Sequence, residues 1–500
     1  MIRYRSLVLL LCLTLFSGML QSAIAQTDPS GQPAAQQLEL SIEEVVILVL
    51  QNNRDLRVQR LNPVIAGSFE QLERGAFDAE LFAELEYGEE QSSEVARSTG
   101  TQFDVEGSDS RTRLGIRKFL ATGTTLEAGV EQSRNISNRA PEQQLARAGL
   151  TLTQALLRGF GPKVNLIAVQ QADLGTIASR YQLQGFTEAL LAEAETAYWN
   201  FVLAREQITI FESSLAIAKQ QRDETELRIE VGLLPEVEAA ARAEVARREQ
   251  ALIDARSLLE ERRLRLLRLL DPAQPDSYRQ QIVTVSQPRV PAPAQHDLDE
   301  RLQLADRLRP DLNEARTRLE QFRLETVVTR NGLLPRLDFF IALGKSGFAD
   351  SFGDSFRAMD NNAYDLTAGL SLNLPIGNRV AEARQQAAWA LQQQAREAVA
   401  NLQQLIELDV RLAFNELERA RLQIDATAST RTLQEATLAA EQERFAVGAS
   451  TTLLVSQAQR DLLASQIDEI EAVINYRIAL VALYLSEGSL LERRGARIDG

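Results

Sequence analysis

Two runs of helix-like sequence constrain what this chain can fold into more than any other feature. Residues 161–230 and 379–446 are rich in Ala, Leu, Gln and Glu. At a rise of 1.5 Å per residue, a helix of about seventy residues spans roughly 105 Å. No small globular domain needs a helix of that length. The chain is therefore predicted to be mainly α-helical, with Leu391, Ala395, Ala398, Leu402 and Leu405 spaced as a coiled-coil seam.

A glycine follows each long run. Gly448 lies in the sequence Arg-Phe-Ala-Val-Gly-Ala-Ser-Thr-Thr, and glycine readily ends a helix because it tolerates a positive φ. Ser450 and Thr451 are then N-cap candidates for a returning helix. Upstream, Gly232 is followed by Pro235, which suits the first turn of a helix. Residues 231–235 and 447–451 are predicted to be the tips of two antiparallel helical hairpins.

The first residues predict export from the cytoplasm. Two arginines precede an apolar run shorter than a membrane-spanning helix, and Ala23-Ile24-Ala25 fits a cleavage site. Residues 1–25 are thus predicted to be a signal peptide. The single cysteine, Cys12, lies within it, so the mature chain would hold neither a disulfide nor a thiolate metal site. Because His296 is the only histidine, no metal and no cofactor are expected.

The mature chain is strongly acidic. The signal peptide holds two of the 54 Lys and Arg residues, so 52 bases face 69 acids and the mature net charge is −17. This balance argues against nucleic acid and anionic membrane surfaces as partners. The sequence contains no nucleophile elbow, phosphate-binding loop or dinucleotide fingerprint, so we predict that the protein is not an enzyme.

A period of two replaces the helical period in six segments. Apolar and polar residues alternate in 77–87, 112–120, 124–132, 147–157, 337–343 and 364–376. Strands of about ten residues with one apolar face are typical of transmembrane β-barrels. A soluble antiparallel sandwich shows the same alternation. The alternation of long and short loops, together with the export signal, favours the barrel.

The second and third of these segments predict their own register. Pairing Leu120 with Thr124 across a three-residue loop places Gly123 where such a hairpin needs a left-handed residue. Opposite charges then face each other on one side, which favours this register. The pairs predicted to face the lumen are Arg113 with Glu131 and Arg117 with Glu127.

The same order of elements occurs twice along the chain. Gly149-Leu150-Thr151-Leu152-Thr153 matches Gly369-Leu370-Ser371-Leu372-Asn373, and the Val-Gly tips match at a similar offset. The predicted organisation is a signal peptide (1–25), a flexible lead (26–40), a first repeat (41–270, strands about 77–157), an irregular connector (271–298), a second repeat (299–487, strands about 336–376) and a C-terminal tail (488–500).

Several of these motifs are shared with one known family. They are the two Val-Gly tips, the segment Arg309-Pro310-Asp311-Leu312, and the strand-to-helix junctions at 151–161 and 369–376. In order, duplication and spacing, the mature chain resembles the TolC-like outer-membrane efflux proteins. This resemblance implies a homotrimer whose β-barrel crosses the outer membrane in contact with lipid. An α-helical barrel would continue it into the periplasm.

The resemblance also implies a function. The helical tips would meet a periplasmic adaptor protein that links to an inner-membrane pump. The channel would be a passive conduit of a tripartite efflux or type I secretion system. The alternative is a secreted periplasmic coiled-coil scaffold or adhesin without a pore, which would not need a set of lipid-facing strands.

Three groups of residues are predicted to carry this function. The adaptor-docking tips are Val231, Gly232, Leu233, Leu234, Val447, Gly448 and Ala449. Glu236 and Glu238 are candidates for an acidic periplasmic gate, although acids at this position also suit the dipole of a helix N-terminus. The third group is the set of ion pairs on the strands. The family usually has four strands per chain, whereas six are predicted here, so a trimer would close with eighteen strands instead of twelve unless hairpin 112–132 lies outside the barrel.

Overall fold

The computed structural model describes residues 37–95, 97–230, 238–271, 277–287 and 297–496, and most of them are helical. The helices of the first half are α1 (Ile42–Asn52), α2 (Arg54–Gln59), α3 (Leu61–Gly75), α4 (Pro162–Asn165), α5 (Ile167–Glu230) and α6 (Glu238–Leu270). Those of the second half are α7 (Leu298–Leu308), α8 (Pro310–Gly332), α9 (Phe352–Arg357), α10 (Arg379–Ala446), α11 (Thr452–Glu487) and α12 (Leu490–Arg493). With 64 and 68 residues, α5 and α10 are each about 100 Å long, which confirms the predicted long helices.

The strands form one large antiparallel sheet and one small parallel sheet. The large sheet contains β2 (Ala79–Val95), β3 (Gln102–Leu120), β4 (Thr124–Ser137), β5 (Ala140–Ala155), β7 (Arg336–Ala349) and β8 (Tyr364–Asn373), paired in that order. The small sheet pairs β1 (Gln37–Leu40) with β6 (Gln281–Thr284). Six strands in one sheet are therefore confirmed. Because β3 pairs with β2, and β4 with β5, hairpin 112–132 lies within the sheet.

The helices pack side by side beyond the sheet. Near the sheet, α5 packs against α3 and α8, and α8 packs against α10. Farther away, α5 packs against its return helix α6 and against α11, which packs in turn against α10. Both repeats thus contribute a hairpin to one layer, with α10 at one edge and α3 and α6 at the other.

Several predicted boundaries are wrong. Residues 88–110 and 133–146 read as loops because they are polar on both faces, but most of them extend the neighbouring strands. Strands can continue without an apolar face, since their hydrogen bonds join main-chain groups. Residues 37–40 of the predicted flexible lead pair with 281–284 of the predicted irregular connector.

Two further features go beyond what the sequence indicated. Within the predicted C-terminal tail, α12 buries Leu490 and Leu491 in the main hydrophobic core. In a single chain, the predicted coiled-coil seam of α10 is partly exposed, with Leu391 and Leu405 at 44% and 48%. The residues of α10 that are buried are Ala388, Ile406, Val410, Leu417, Ala420 and Ile424.

Candidate functional site

Charged side chains of both signs interlock on one face of the large sheet. The register predicted for β3 and β4 is the one observed, with Arg113 opposite Glu131 and Arg117 opposite Glu127. Arg117 lies 2.9 Å from Glu127, and Arg113 lies 3.4 Å from Glu131. Arg113 also lies 3.4 Å from Glu84 of β2. The predicted pairs are thus part of a ladder that continues onto the neighbouring strand.

This ladder extends across the sheet. Arg111 contacts Glu86 at 3.3 Å, and Arg147 of β5 reaches Asp365 of β8 at 2.6 Å. All these side chains are partly exposed in a single chain, so each pair adds at most about 1 kcal/mol to stability. Their shared position gives the sheet a continuous hydrophilic face, which we call the polar face.

A row of glycines crosses the centre of the polar face. Gly115, Gly129, Gly149 and Gly344 are partners in register on β3, β4, β5 and β7. Side chains occupy the space above two of them: a Cβ on Gly115 would lie 2.6 Å from the Phe82 ring, and a Cβ on Gly344 would lie 2.8 Å from the Arg147 guanidinium. Glycines at such positions let a sheet bend sharply. The glycine row therefore favours bending toward the polar face, as a barrel with a polar lumen requires.

The opposite face is apolar and exposed. Leu81, Ile116, Ala128, Leu150, Leu343 and Leu366 form one row across all six strands. The leucines at its ends, Leu81 and Leu366, are 71% and 57% exposed. A contiguous apolar surface of this size marks contact with lipid or with another protein. We call it the apolar face.

The second hairpin tip has the predicted geometry. Gly448 has a φ of +78°, and the amide of Ala449 donates to the Arg444 carbonyl at 2.7 Å. Thr451 caps α11, because its hydroxyl accepts from the Leu454 amide at 3.3 Å. Val447 is 79% exposed. The tip therefore presents an apolar side chain on a rigid turn.

The first hairpin tip and the side chains of the candidate gate lie outside the part of the chain that the structure describes. Val231, Gly232, Leu233, Leu234 and Glu236 lie outside the described residues. Glu238 begins α6, but its side chain lies outside the described part as well. Their roles stay predictions.

Replacing Gly448 with valine is expected to weaken export without removing the protein from the outer membrane. Apart from its chain neighbours, none of the described residues places an atom within 4 Å of a Cβ at this position, so the penalty comes from backbone conformation. A β-branched residue in the left-handed region costs of order 1–3 kcal/mol. Gly448→Asn is the control, because Asn tolerates this conformation. Normal export by the valine variant in a cellular efflux assay would contradict the role of the tip.

One structural feature of the site was missed by the sequence analysis. Asn53 ends α1 and Arg309 ends α7 with similar backbone angles, φ/ψ of −56°/123° and −53°/116°. Each side chain donates to a carbonyl near the end of a return helix, Asn53 to Leu269 at 3.0 Å and Arg309 to Ser486 at 3.3 Å. Both repeats thus tie the start of the repeat to the end of its hairpin. The sequence signal was present, since Arg54-Asp55-Leu56 resembles Pro310-Asp311-Leu312.

A buried acid lies close to Arg309. Glu188 of α5 is 2% exposed, and its Oε1 has no hydrogen-bond partner among the described residues. Burial raises the pKa of Glu188 from 4.5 to about 7, against the opposing effects of Gln184 and Arg309. The unfolded chain releases this proton at lower pH than the folded chain. Stability is therefore lost as pH rises between 4.5 and about 7.

We expect Glu188→Gln to remove this loss. The variant and the wild type should be equally stable below pH 4.5, and the variant should be more stable above pH 7, by about 3 kcal/mol. The difference in thermal midpoint across this pH range measures it. Glu193→Gln, an exposed acid on the same helix, is the control. A constant difference between Glu188→Gln and wild type would show that Glu188 does not titrate in this window.

Comparisons with known proteins give one family match and several matches to solved structures. Residues 302–489 match the family described as outer membrane efflux protein. The outer-membrane channel OprN is 18% identical over 90% of both chains, with a TM-score of 0.66. The CmeC outer membrane channel of Campylobacter jejuni is 16% identical over 90% of this chain and 85% of its own, with a TM-score of 0.64. The outer membrane protein VceC of Vibrio cholerae is 16% identical over 89% of this chain and 96% of its own, with a TM-score of 0.66.

These matches confirm the predicted resemblance. The second half of the chain matches the outer membrane efflux protein family, and nearly the whole chain has the fold of its channels. The family is one of channel proteins located in the outer membrane with their helical part in the periplasm, as predicted. No curated protein matches the chain. Within the described ranges, none of the helices combines the length and the apolar character needed to span a bilayer.

Proposed function

We propose that this protein is the outer-membrane channel of a tripartite efflux or type I secretion system, and that it acts as a passive conduit. The observation that carries the proposal is the large sheet. One of its faces is apolar and exposed, the other is lined by ion pairs, and short junctions connect β5 to α5 and β8 to α10. An apolar outside and a polar lumen are what a transmembrane barrel requires.

The unpaired edges of the sheet support a homotrimer. In one chain, β2 and β8 are the outermost strands of the sheet. Exposed strand edges bind other strands unless they are covered or paired. Pairing β2 of one copy with β8 of the next would close three copies into an eighteen-stranded barrel, within the range known for outer-membrane proteins.

Exposed apolar residues on α3 and α10 favour the same arrangement of adjacent copies. Outward-facing apolar residues of α3 include Ile65 and Leu72, which are 54% and 66% exposed. On α10, Val380 and Trp389 are 67% and 57% exposed. Ile65 and Trp389 each lie ten residues from the sheet end of their helix. These two edges of the helical layer could therefore pack against each other, antiparallel, between adjacent copies.

The hairpin tips would bind the partner proteins of the channel. Tip 447–451 would dock a periplasmic adaptor, since an exposed apolar residue such as Val447 on a tight turn suits a protein interface. Tip 231–235, which repeats the Val-Gly motif in the sequence, would dock the same adaptor. The adaptor would connect the channel to an inner-membrane pump, which supplies the energy. The chain itself would do no chemistry, and Glu236 and Glu238 of three copies would form an acidic entrance.

Single-channel recording of the purified protein in planar bilayers tests the proposal. A channel should give discrete conductance steps, whereas a scaffold or adhesin should give none. An acidic entrance should favour cations. Changing both Glu236 and Glu238 to Gln should then raise the relative anion permeability. Unchanged selectivity in the double variant would show that these acids act only at the helix end.

A further inference from the structure

The connection between β7 and β8 folds back onto the sheet. It contains α9 and one 3-10 turn (Ala358–Asp360). A Cβ on Gly347 would lie 2.1 Å from the carbonyl oxygen of Ser355 and 2.5 Å from the amide nitrogen of Met359. The backbone of residues 351–360, which we call the return segment, is therefore in direct contact with β7. Under this contact, Ala146 of β5 and Ser355 are both 0% exposed.

The return segment lies on the apolar face. Gly347 points to the same side as Lys345 and Leu343, because side chains alternate along a strand. Leu343 belongs to the apolar row described above. Lys345 pairs with Tyr364. Gly347 lies two residues farther along β7 than Lys345, a distance of roughly 7 Å. The segment thus rests at the end of the apolar face that is farthest from the helices.

The return segment presents aromatic side chains outward. Phe352 is 60% exposed, and its ring centroid lies 5.1 Å from that of Phe356. Arg357 and Asp354 form an exposed ion pair at 2.7 Å on the same short helix. Tyr364, which follows the return segment as the first residue of β8, is 80% exposed. Aromatic and polar side chains combined at the rim of an apolar surface are typical of the membrane interface.

We propose that the return segment is an interfacial anchor that rests in the lipid headgroup region of the outer leaflet, with Phe352 inserted. This inference depends on the proposed function, in which the apolar face meets lipid. A second copy of the chain is not the expected occupant. The segment covers β5 and β7, which are paired on both sides within one chain, and copies would meet at β2 and β8. The anchor would fix the depth of the barrel in the membrane.

Two phenylalanines provide a matched test. Phe348 and Phe352 are each 60% exposed, but Phe348 is on β7 and points to the polar face. Because Cys12 is the only native cysteine and lies in the predicted signal peptide, single-cysteine variants can be labelled cleanly. Phe352→Cys, Phe348→Cys and Leu343→Cys would carry an environment-sensitive fluorophore. The protein would be reconstituted into vesicles of phosphatidylcholine and phosphatidylglycerol with lipids spin-labelled near the headgroup.

The proposal predicts that lipid quenches the label at 352 at least twofold more than the label at 348, and that aqueous iodide shows the reverse order. It is overturned if labels at 352 and 348 respond alike to iodide while the label at 343 is quenched by lipid; in that case the channel function still stands. If the label at 343 is also quenched only by iodide, then the apolar face does not meet lipid, and the proposed function fails together with the anchor.

Discussion

Changing Gly123 to alanine is expected to reduce the amount of assembled protein in the outer membrane several-fold, whereas Gly100→Ala should have a small effect. Both glycines have positive φ angles, +84° and +68°. An alanine would therefore cost about 1 kcal/mol in backbone strain at either position. The two positions differ in their surroundings, which makes Gly100 a matched control.

The larger effect at Gly123 comes from a close contact. A Cβ there would lie 2.2 Å from the carbonyl oxygen of Gly159, whereas a Cβ at Gly100 would have no atom of the other described residues within 4 Å, its chain neighbours aside. The turn is also bonded to the junction between sheet and helix, since Gly161 donates to the Thr122 carbonyl at 3.1 Å. Displacing this turn disrupts both the β3–β4 connection and the start of α4, which Gly161 caps, at a cost above about 4 kcal/mol. Equal amounts of the two variants in the outer-membrane fraction would contradict this explanation.

Changing Glu487 to alanine is expected to destabilise the protein by about 3–5 kcal/mol. Glu487 is 0% exposed and lies 3.2 Å from Arg301 and 3.5 Å from Arg493. Removing its carboxylate leaves the buried guanidinium of Arg301, whose side chain is 9% exposed, without this counter-charge, and takes a partner from the partly exposed Arg493. Because Glu487 ends α11, the loss would also loosen α7 and α12.

Glu407→Ala is the control for Glu487→Ala. The Arg411–Glu407 pair is shorter, 2.8 Å, but its side chains are 50% and 53% exposed, so the loss should stay below about 1 kcal/mol. Thermal unfolding of the two variants in detergent measures the difference. Similar midpoints would mean that burial does not decide the strength of these pairs.

Some parts of the fold could be predicted because they depend on residues that are close together in the sequence. Gly123 and two pairs of opposite charges fixed the register of β3 and β4 within a short segment. Gly448 marked its turn because a tight reversal between helices needs a positive φ. In each case, the residues that decide the structure lie close together in the chain.

Other parts could not be predicted because they depend on distant residues. The pairing of β1 with β6 joins segments about 240 residues apart, and both are too short to show a pattern. Glu487 and Glu188 look like solvent-exposed acids on polar helices, and only packing shows that they are buried. The row of glycines becomes visible only when four strands are placed in register.

Three copies are proposed to close a single barrel by pairing β2 of each copy with β8 of the next. Disulfide cross-linking tests this pairing most directly. Within a chain these two strands are separated by four others, a distance of roughly 24 Å, whereas a disulfide needs Cα atoms within about 7 Å. Leu81→Cys would be combined in turn with Leu366→Cys, Ala368→Cys and Leu370→Cys, and oxidised in native membranes. The account predicts a covalent trimer for at least one combination. Only monomers, whether cross-linked internally or not, in every combination would contradict it.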